Sequence, residues 1–172
     1  MLELLMGRRS IRKYQEKKID KNDLDYILQG ALTSPASRGV ESCEIIVIDD
    51  PLVLEKLGAS RGPQSKPISN APMALVVISD TENTDVYVEN SSIMAIIIQL
   101  LAASLGLGSC WIQVRDRFTA DNESVDAYVR DLLDIPENYK VECMISLGYP
   151  AEEKEAYSKE KLNFNRVHHG RF

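Results

Sequence analysis

Two histidines and three cysteines are the whole stock of soft metal ligands in this chain of 172 residues. Cys43, Cys110 and Cys143 stand far apart, and His168 and His169 are adjacent. Neither set has metal-ligand spacing, which argues against a zinc site. An odd number of widely spaced cysteines also suits reduced thiols in a cytoplasmic protein better than a disulfide framework. No G-x-x-x-x-G-K-[ST], H-E-x-x-H or G-x-S-x-G is present, and spacing marks no pair of carboxylates as catalytic. Positive charge is in deficit, at a net −6, so a polyanion partner across the whole surface is not expected. The start, M-L-E-L-L-M-G-R-R, lacks the charged, apolar and small-residue regions of a signal peptide. The longest apolar run, Ile93 to Leu107, is broken only by Gln99 and Ser104. It is too short to span a bilayer, reads as a buried helix, and leaves no membrane partner to expect. No repeat, low-complexity tract or linker divides the chain, so residues 1–172 read as a single domain.

Local patterns supply the elements. Leu2, Leu5 and Met6 share one face of a short helix stopped at Gly7. Asp20 is placed to cap a helix carrying Leu24, Ile27, Leu28, Ala31 and Leu32, ended by Ser34-Pro35. Glu44 to Asp49 is a short β-branched run, read as a buried strand. Leu52 to Ala59 suits a helix, and Met73 to Ser79 a second buried strand. Asn83 to Leu107 is mostly one long helix, apolar nearly all round, which belongs in a core or at a subunit interface. Val125, Tyr128, Val129, Leu132 and Leu133 mark an amphipathic helix. Val141, Cys143, Ile145 and Leu147 alternate with Glu142, Met144 and Ser146 as a third strand. From Ala151 the chain is polar until an apolar-aromatic end, so 151–172 reads as a tail that docks onto something. Helices and strands mix without a strict βαβ rhythm, which favours an α+β layered domain.

Against this acidic background, R-R-S-I-R-K-Y, Arg8 to Tyr14, concentrates four cations and a hydroxyl. In an extended segment Arg8, Ser10 and Arg12 point to one side, and Arg9, Ile11 and Lys13 to the other. Two guanidinium forks flanking a hydroxyl suit a phosphate. By composition alone the stretch also fits a solvated basic turn that pairs with surface acids.

The segment R-R-S-I-R-K-Y resembles the N-terminal FMN-binding motif of the nitroreductase family. Four more segments agree in order: S-P-A-S-R-G-V-E-S-C-E-I-I-V-I (34–48), N-A-P-M-A-L-V-V (70–77), L-G-L-G-S-C-W-I (105–112) and N-R-V-H-H-G-R-F (165–172). The third of these resembles the family's loop over the flavin ring. Without the family it reads as a helix C-cap and a turn, Trp111 as core, and Cys110 as a small buried residue rather than a nucleophile. There are departures. Ser42-Cys43 stands where the family often has Pro-Trp, and Gly39 where it often has Asn. The long helical insertion of larger members is absent, which implies a more open substrate pocket.

The resemblance implies a nitroreductase-like α+β fold: a mainly antiparallel central sheet flanked by helices, in a homodimer with two FMN sites at its interface. Arg8, Arg9, Ser10 and Arg12 would hold the ribityl phosphate and pyrimidine edge. Pro35, Ala36, Ser37 and Arg38 would come from the partner. Cys110, Trp111 and Ile112 would line the ring, and Arg166 and His168 would complete the phosphate site. The implied activity takes hydride from NADH or NADPH and reduces a nitroaromatic or quinone by ping-pong turnover. A flavin carrier, sensor or maturation partner on the same fold would carry the same binding motifs. A non-flavin domain gripping acidic protein or nucleic acid is a third reading. Net charge and the lack of aromatics interleaved within Arg8–Lys13 weigh against it, and no nucleic-acid partner is expected.

Overall fold

A computed structural model describes residues 1–172. The chain begins with helix α1 (Leu2–Gly7) and an extended basic segment, then α2 (Lys21–Leu32). The Asp20 carboxylate accepts the Asn22 amide, capping α2 where expected. Strand β1 (Cys43–Ile48) leads to α3 (Pro51–Ala59), with Pro51 at its first turn and Asp50 accepting the Leu52 and Val53 amides. A short α4 (Lys66–Ser69) precedes β2 (Met73–Asp80). The long helix α5 (Tyr87–Ser104), β3 (Gly108–Gln113), α6 (Val125–Leu132) and β4 (Tyr139–Gly148) complete the fold.

The four strands pair antiparallel throughout in the order β1-β2-β4-β3. Both faces of the sheet are covered. Ala74, Val76 and Ile78 of β2 pack with Leu54, Leu57, Ile68 and Val129 of α3, α4 and α6. Leu75 and Val77 pack on the other side with Ile27 and Ala31 of α2 and Met94, Ile98 and Ala102 of α5. A central strand roofed on both sides has no polar face, which is why M-A-L-V-V-I-S runs apolar without alternation.

Four sequence expectations change. β1 was expected to be buried, but it is an edge strand with Glu44 and Val47 exposed. β4 was expected to alternate, but all of Val141–Gly148 is buried, Glu142 included at 2% exposure, because α6 and α4 cover the side its polar residues face. The segment Gly108–Gln113 is a fourth strand rather than a turn; it pairs with β4 from Gly108–Gly148 to Gln113–Cys143. The long helix starts at Tyr87, four residues later than the pattern suggested, and ends at Ser104.

Helix α5 is long and apolar enough to cross a membrane by length and composition alone. In this fold it lies on the sheet beside α2. Its buried side carries Asn90, Ser91 and Gln99 as well as Met94, Ile98 and Ala102. Its other side carries Ile93, Ile96, Ile97 and Leu100, spaced i, i+3, i+4, i+7, half-buried or exposed. The three cysteines are free.

The tail divides in two. Its first part is tied down: the Ala151 amide donates to the Lys13 carbonyl (2.9 Å) and Tyr157 to Met6 (2.8 Å). Residues 159–172 are exposed throughout, with Phe164, Val167 and Phe172 open to solvent.

One glycine decides where the basic segment lies. A Cβ on Gly108 would fall 2.8 Å from Cβ and Cγ2 of Ile11, atoms with no freedom to swing away. Gly108→Ala is therefore expected to lever Arg8–Arg12 off β3 at a cost of about 1–3 kcal/mol. Thermal denaturation and faster hydrogen exchange at the Ile11 amide would show it.

Candidate active site

Leaving α1, the chain extends at Arg8, and Ser10 forms a parallel bridge with Ser109 of β3. The Ile11 amide donates to the Ser109 carbonyl (3.0 Å) and Ile11 is buried against Gly108. Tyr14 pairs with Pro150, and the Gln15 amide donates to the Tyr149 carbonyl (2.9 Å). The basic segment thus borders β3 and the end of β4. The Tyr14 hydroxyl is bonded to Ser146 Oγ (2.7 Å) and donates to the Ile11 carbonyl. Burial holds its phenol well above the ordinary value, so it stays a neutral pin between segment and sheet.

The three arginines do different things. The Arg8 side chain makes no hydrogen bond or ion pair within the chain. Arg9 donates to the Glu155 carbonyl and lies 4.7 Å over the Tyr157 ring, so it also holds the tail. Arg12 Nη1 reaches only the Ser10 carbonyl (3.3 Å), while its amide donates to Glu152 Oε1 (2.6 Å). That amide lowers the Glu152 carboxyl below its usual range. No carboxylate neutralises any of the three guanidiniums. Strict alternation is lost at the start, because Arg8 still caps α1. Arg8 and Arg9 both line a cavity of about 290 Å³, walled also by Ser109, Gly108, Ala103 and Gly106.

Further along β3, Arg12, Cys110, Trp111 and Ile112 border a second cavity of about 370 Å³. Burial pushes the Cys110 thiol up, against the opposing effect of Arg12 and Ser10. The thiol therefore stays protonated near neutrality and is no nucleophile. Ile112 belongs to the core beneath α3 and α6, so its side chain packs there. On the outer edge of β3 the Ser109 carbonyl accepts Ile11 and the Gln113 carbonyl accepts Arg61 Nη1 (2.9 Å). By the ladder's alternation Trp111 presents its backbone to that same edge.

A hydrogen-bonded chain fixes the indole. Trp111 Nε1 donates to Gln113 Oε1 (2.9 Å), Gln113 Nε2 to Glu142 Oε1 (3.2 Å), and Arg115 Nε to Glu142 Oε2 (2.9 Å). Burial raises the Glu142 carboxyl, opposed by Gln113 and Arg115. Gln113→Leu should leave the indole N–H unpaired and cost about 1–3 kcal/mol. Trp111 is the only tryptophan, so its fluorescence during urea denaturation reads this directly.

The loop Pro35–Arg38 lies elsewhere. Pro35 and Ala36 border a cavity of about 420 Å³ with Asn90 and Met94 near the start of α5. The Ser37 amide donates to Asn90 Oδ1 (3.1 Å), and Asn90 Nδ2, though buried, has no partner. Arg38 is held at φ 56°, a left-handed conformation costing a non-glycine residue about 1–2 kcal/mol. The Arg8 cavity meets the other end of α5, at Ala103. Thirteen residues of helix separate Asn90 from Ala103, about 20 Å. A single chain does not bring these two groups together. Arg166 lies in a tail turn, and His168 stacks on Phe172 at 4.4 Å. Both are exposed, and neither side chain bonds to the body of the protein.

Sequence reasoning passed over Arg61, Gln113, Arg117, Glu142 and Asn90. None carries a local signal: each acquires meaning only through a neighbour distant in the chain.

The nitroreductase family model matches residues 5–149. This chain belongs to the nitroreductase family. An Archaeoglobus fulgidus relative, provisionally named NADH dehydrogenase/NAD(P)H nitroreductase, is 34% identical over 97% of this chain and 95% of its own. An NADPH-flavin oxidoreductase from Vibrio harveyi is 28% identical over 90% of this chain and 67% of its own. Among solved structures, an FMN-dependent nitroreductase from Clostridium difficile R20291 superimposes with a TM-score of 0.98 at 47% identity, each chain covered completely. The likeness covers the whole fold, the antiparallel sheet and its flanking helices together.

Proposed function

We propose that this nitroreductase-family chain is an FMN-dependent NAD(P)H oxidoreductase acting on electron-poor acceptors of the nitroaromatic or quinone type by ping-pong turnover. The observation that carries the reading is the strip of guanidiniums at Arg8, Arg9 and Arg12. It is sewn to β3, Arg8 and Arg9 border one cavity beside Glu3 and Lys154, Arg12 borders the next, and none of the three enters an ion pair. A phosphate-bearing, ring-shaped cofactor fits it: cations and the Ser10 hydroxyl for the phosphate, and the β3 edge at Trp111 for hydrogen-bonding ring atoms. When bound, FMN supplies a two-electron carrier between a reduced nicotinamide and the acceptor.

The chain's own contribution is position and charge. Arg8 and Ser10 would hold the phosphate, with Arg9 bracing the tail behind them. Arg12 would face the pyrimidine edge, where a cation favours an anionic reduced ring. Cys110, Trp111 and Ile112 would form the wall, with the Trp111 backbone as donor. Pro35, Ala36, Ser37 and Arg38 would close the site from a second copy, since within one chain they lie about 20 Å away along α5. The Ile93–Leu100 stripe would meet its symmetry mate. The exposed end of the tail, with Arg166 and His168, would dock on the partner as the outer part of a single 1–172 domain. Free thiols suit the cytoplasm.

The deciding experiment is a visible spectrum of purified protein before and after anaerobic NADH and NADPH. A flavin band that bleaches and returns with an acceptor is expected. A band that never bleaches would replace the enzyme with a flavin carrier or sensor. No band, even after incubation with FMN, would overturn the reading altogether.

A further inference from the structure

The cavity beside Trp111 holds more positive charge than the flavin reading uses. Its wall contains the guanidiniums of Arg12, Arg61 and Arg117 with the amide of Gln64, and no carboxylate. None of these arginines enters an ion pair. Arg61 Nη1 is fixed on the Gln113 carbonyl (2.9 Å) and Arg117 Nη1 on the Asp116 carbonyl (2.8 Å). Both anchors are neutral backbone oxygens, so each fork keeps further donors free. The carboxylates of Asp116 and Glu142, close by in sequence and space, are both taken up by Arg115. Arg61 is half-buried; burial and the charge of Arg117 both weaken its hold on its proton. Arg12 and Arg117 are exposed and Arg61 is half-buried, so in a chain with 26 acidic against 20 basic residues this one cavity is locally positive and offers an anion three guanidiniums with unused donors.

We propose that Arg61 and Arg117 form an anion subsite, distinct from the Arg8–Ser10 strip, that binds a phosphate or carboxylate of a reactant. The reactant's electron-donating or electron-accepting part then lies along the β3 edge at Trp111. This rests on the flavin reading, which places the redox centre at that edge. Two sources share the chemistry: the extra 2′-phosphate of NADPH, and an acidic group on the acceptor.

The test compares the wild-type holoenzyme with Arg61→Gln, Arg117→Gln and the double variant. Values of kcat/KM are measured for NADPH and NADH, and for 4-nitrobenzoate and its neutral methyl ester. A fall of about tenfold or more in the NADPH/NADH ratio assigns the subsite to the dinucleotide. A like fall in the nitrobenzoate/ester ratio assigns it to the acceptor. Both ratios unchanged overturn the proposal, as does loss of FMN with both ratios intact, which would make the arginines flavin ligands. A readout without turnover separates this from the flavin reading: quenching of Trp111 fluorescence by pyrophosphate. Saturable, salt-sensitive quenching in the wild type, lost in the double variant, supports the subsite even if the protein never accepts hydride. Equal quenching in both overturns it.

Discussion

The double variant Arg8→Ala/Arg12→Ala is expected to fold normally and to purify without flavin. Its native state loses little. Arg8 makes no side-chain hydrogen bond, Arg12 makes one long one to a backbone carbonyl, and neither belongs to an ion pair. Surface changes of that kind stay within about 0.5 kcal/mol. Cofactor binding stands to lose far more. Each hydrogen bond from a charged guanidinium, Arg8 to the phosphate and Arg12 to the pyrimidine edge, contributes about 1.5–3 kcal/mol, so losing both weakens FMN binding by about 10²–10⁴-fold. Titrating apoprotein with FMN by flavin fluorescence, beside a melting curve, checks both halves. An unchanged Kd in a folded variant would mean that these cations hold something other than the flavin. Arg9→Ala should differ: its guanidinium also ties down Glu155 and Tyr157, so the tail should loosen as binding weakens.

Ile96→Arg combined with Leu100→Arg is expected to give a colourless monomer. The two residues lie one turn apart on the side of α5 that faces away from the sheet, and Ile96 is 37% exposed. In a two-fold interface each change counts twice. Half-covered aliphatic side chains contribute roughly 1 kcal/mol each when fully buried, so four positions amount to about 4 kcal/mol before any cost of burying charge. That weakens dimerisation by roughly 10³-fold. Flavin should leave with the partner, because Pro35–Arg38 lies at one end of α5 and Arg8 at the other. Sedimentation velocity and the ratio of flavin to protein absorbance give the two readings together. A monomer that keeps one flavin per chain would sink the shared-site model and leave the Arg8 strip as a complete site.

Much of the framework was legible in local pattern. Asp20 caps the helix it precedes, since a short acceptor before an apolar helical repeat has few other uses. Met73–Ser79 announced a covered strand because seven apolar or small residues cannot alternate. β3 was hidden for the opposite reason. G-S-C-W-I-Q is short, opens on a glycine and has no clear period; its strand character comes from pairing with β4 and from the close approach of Ile11 to Gly108. Glu142 sat on the polar side of an apparent alternation, yet it is buried, because helices cover that side and Gln113 at the end of β3 and Arg115 just beyond it meet its carboxylate.

The sequence by itself determined most of the elements, β3 and α4 excepted, the concentration of cations at Arg8–Tyr14, and the family to which they belong. Those depend on neighbours within a few residues, where periodicity, capping and motif spacing operate. Tertiary structure alone decided that Arg9 turns back to the tail and that Arg12, Arg61 and Arg117 share one cavity. It also decided that Pro35–Arg38 stands apart from Arg8. These relations join positions tens of residues apart, and they exist only once the sheet has stacked its helices and set the distance between their ends.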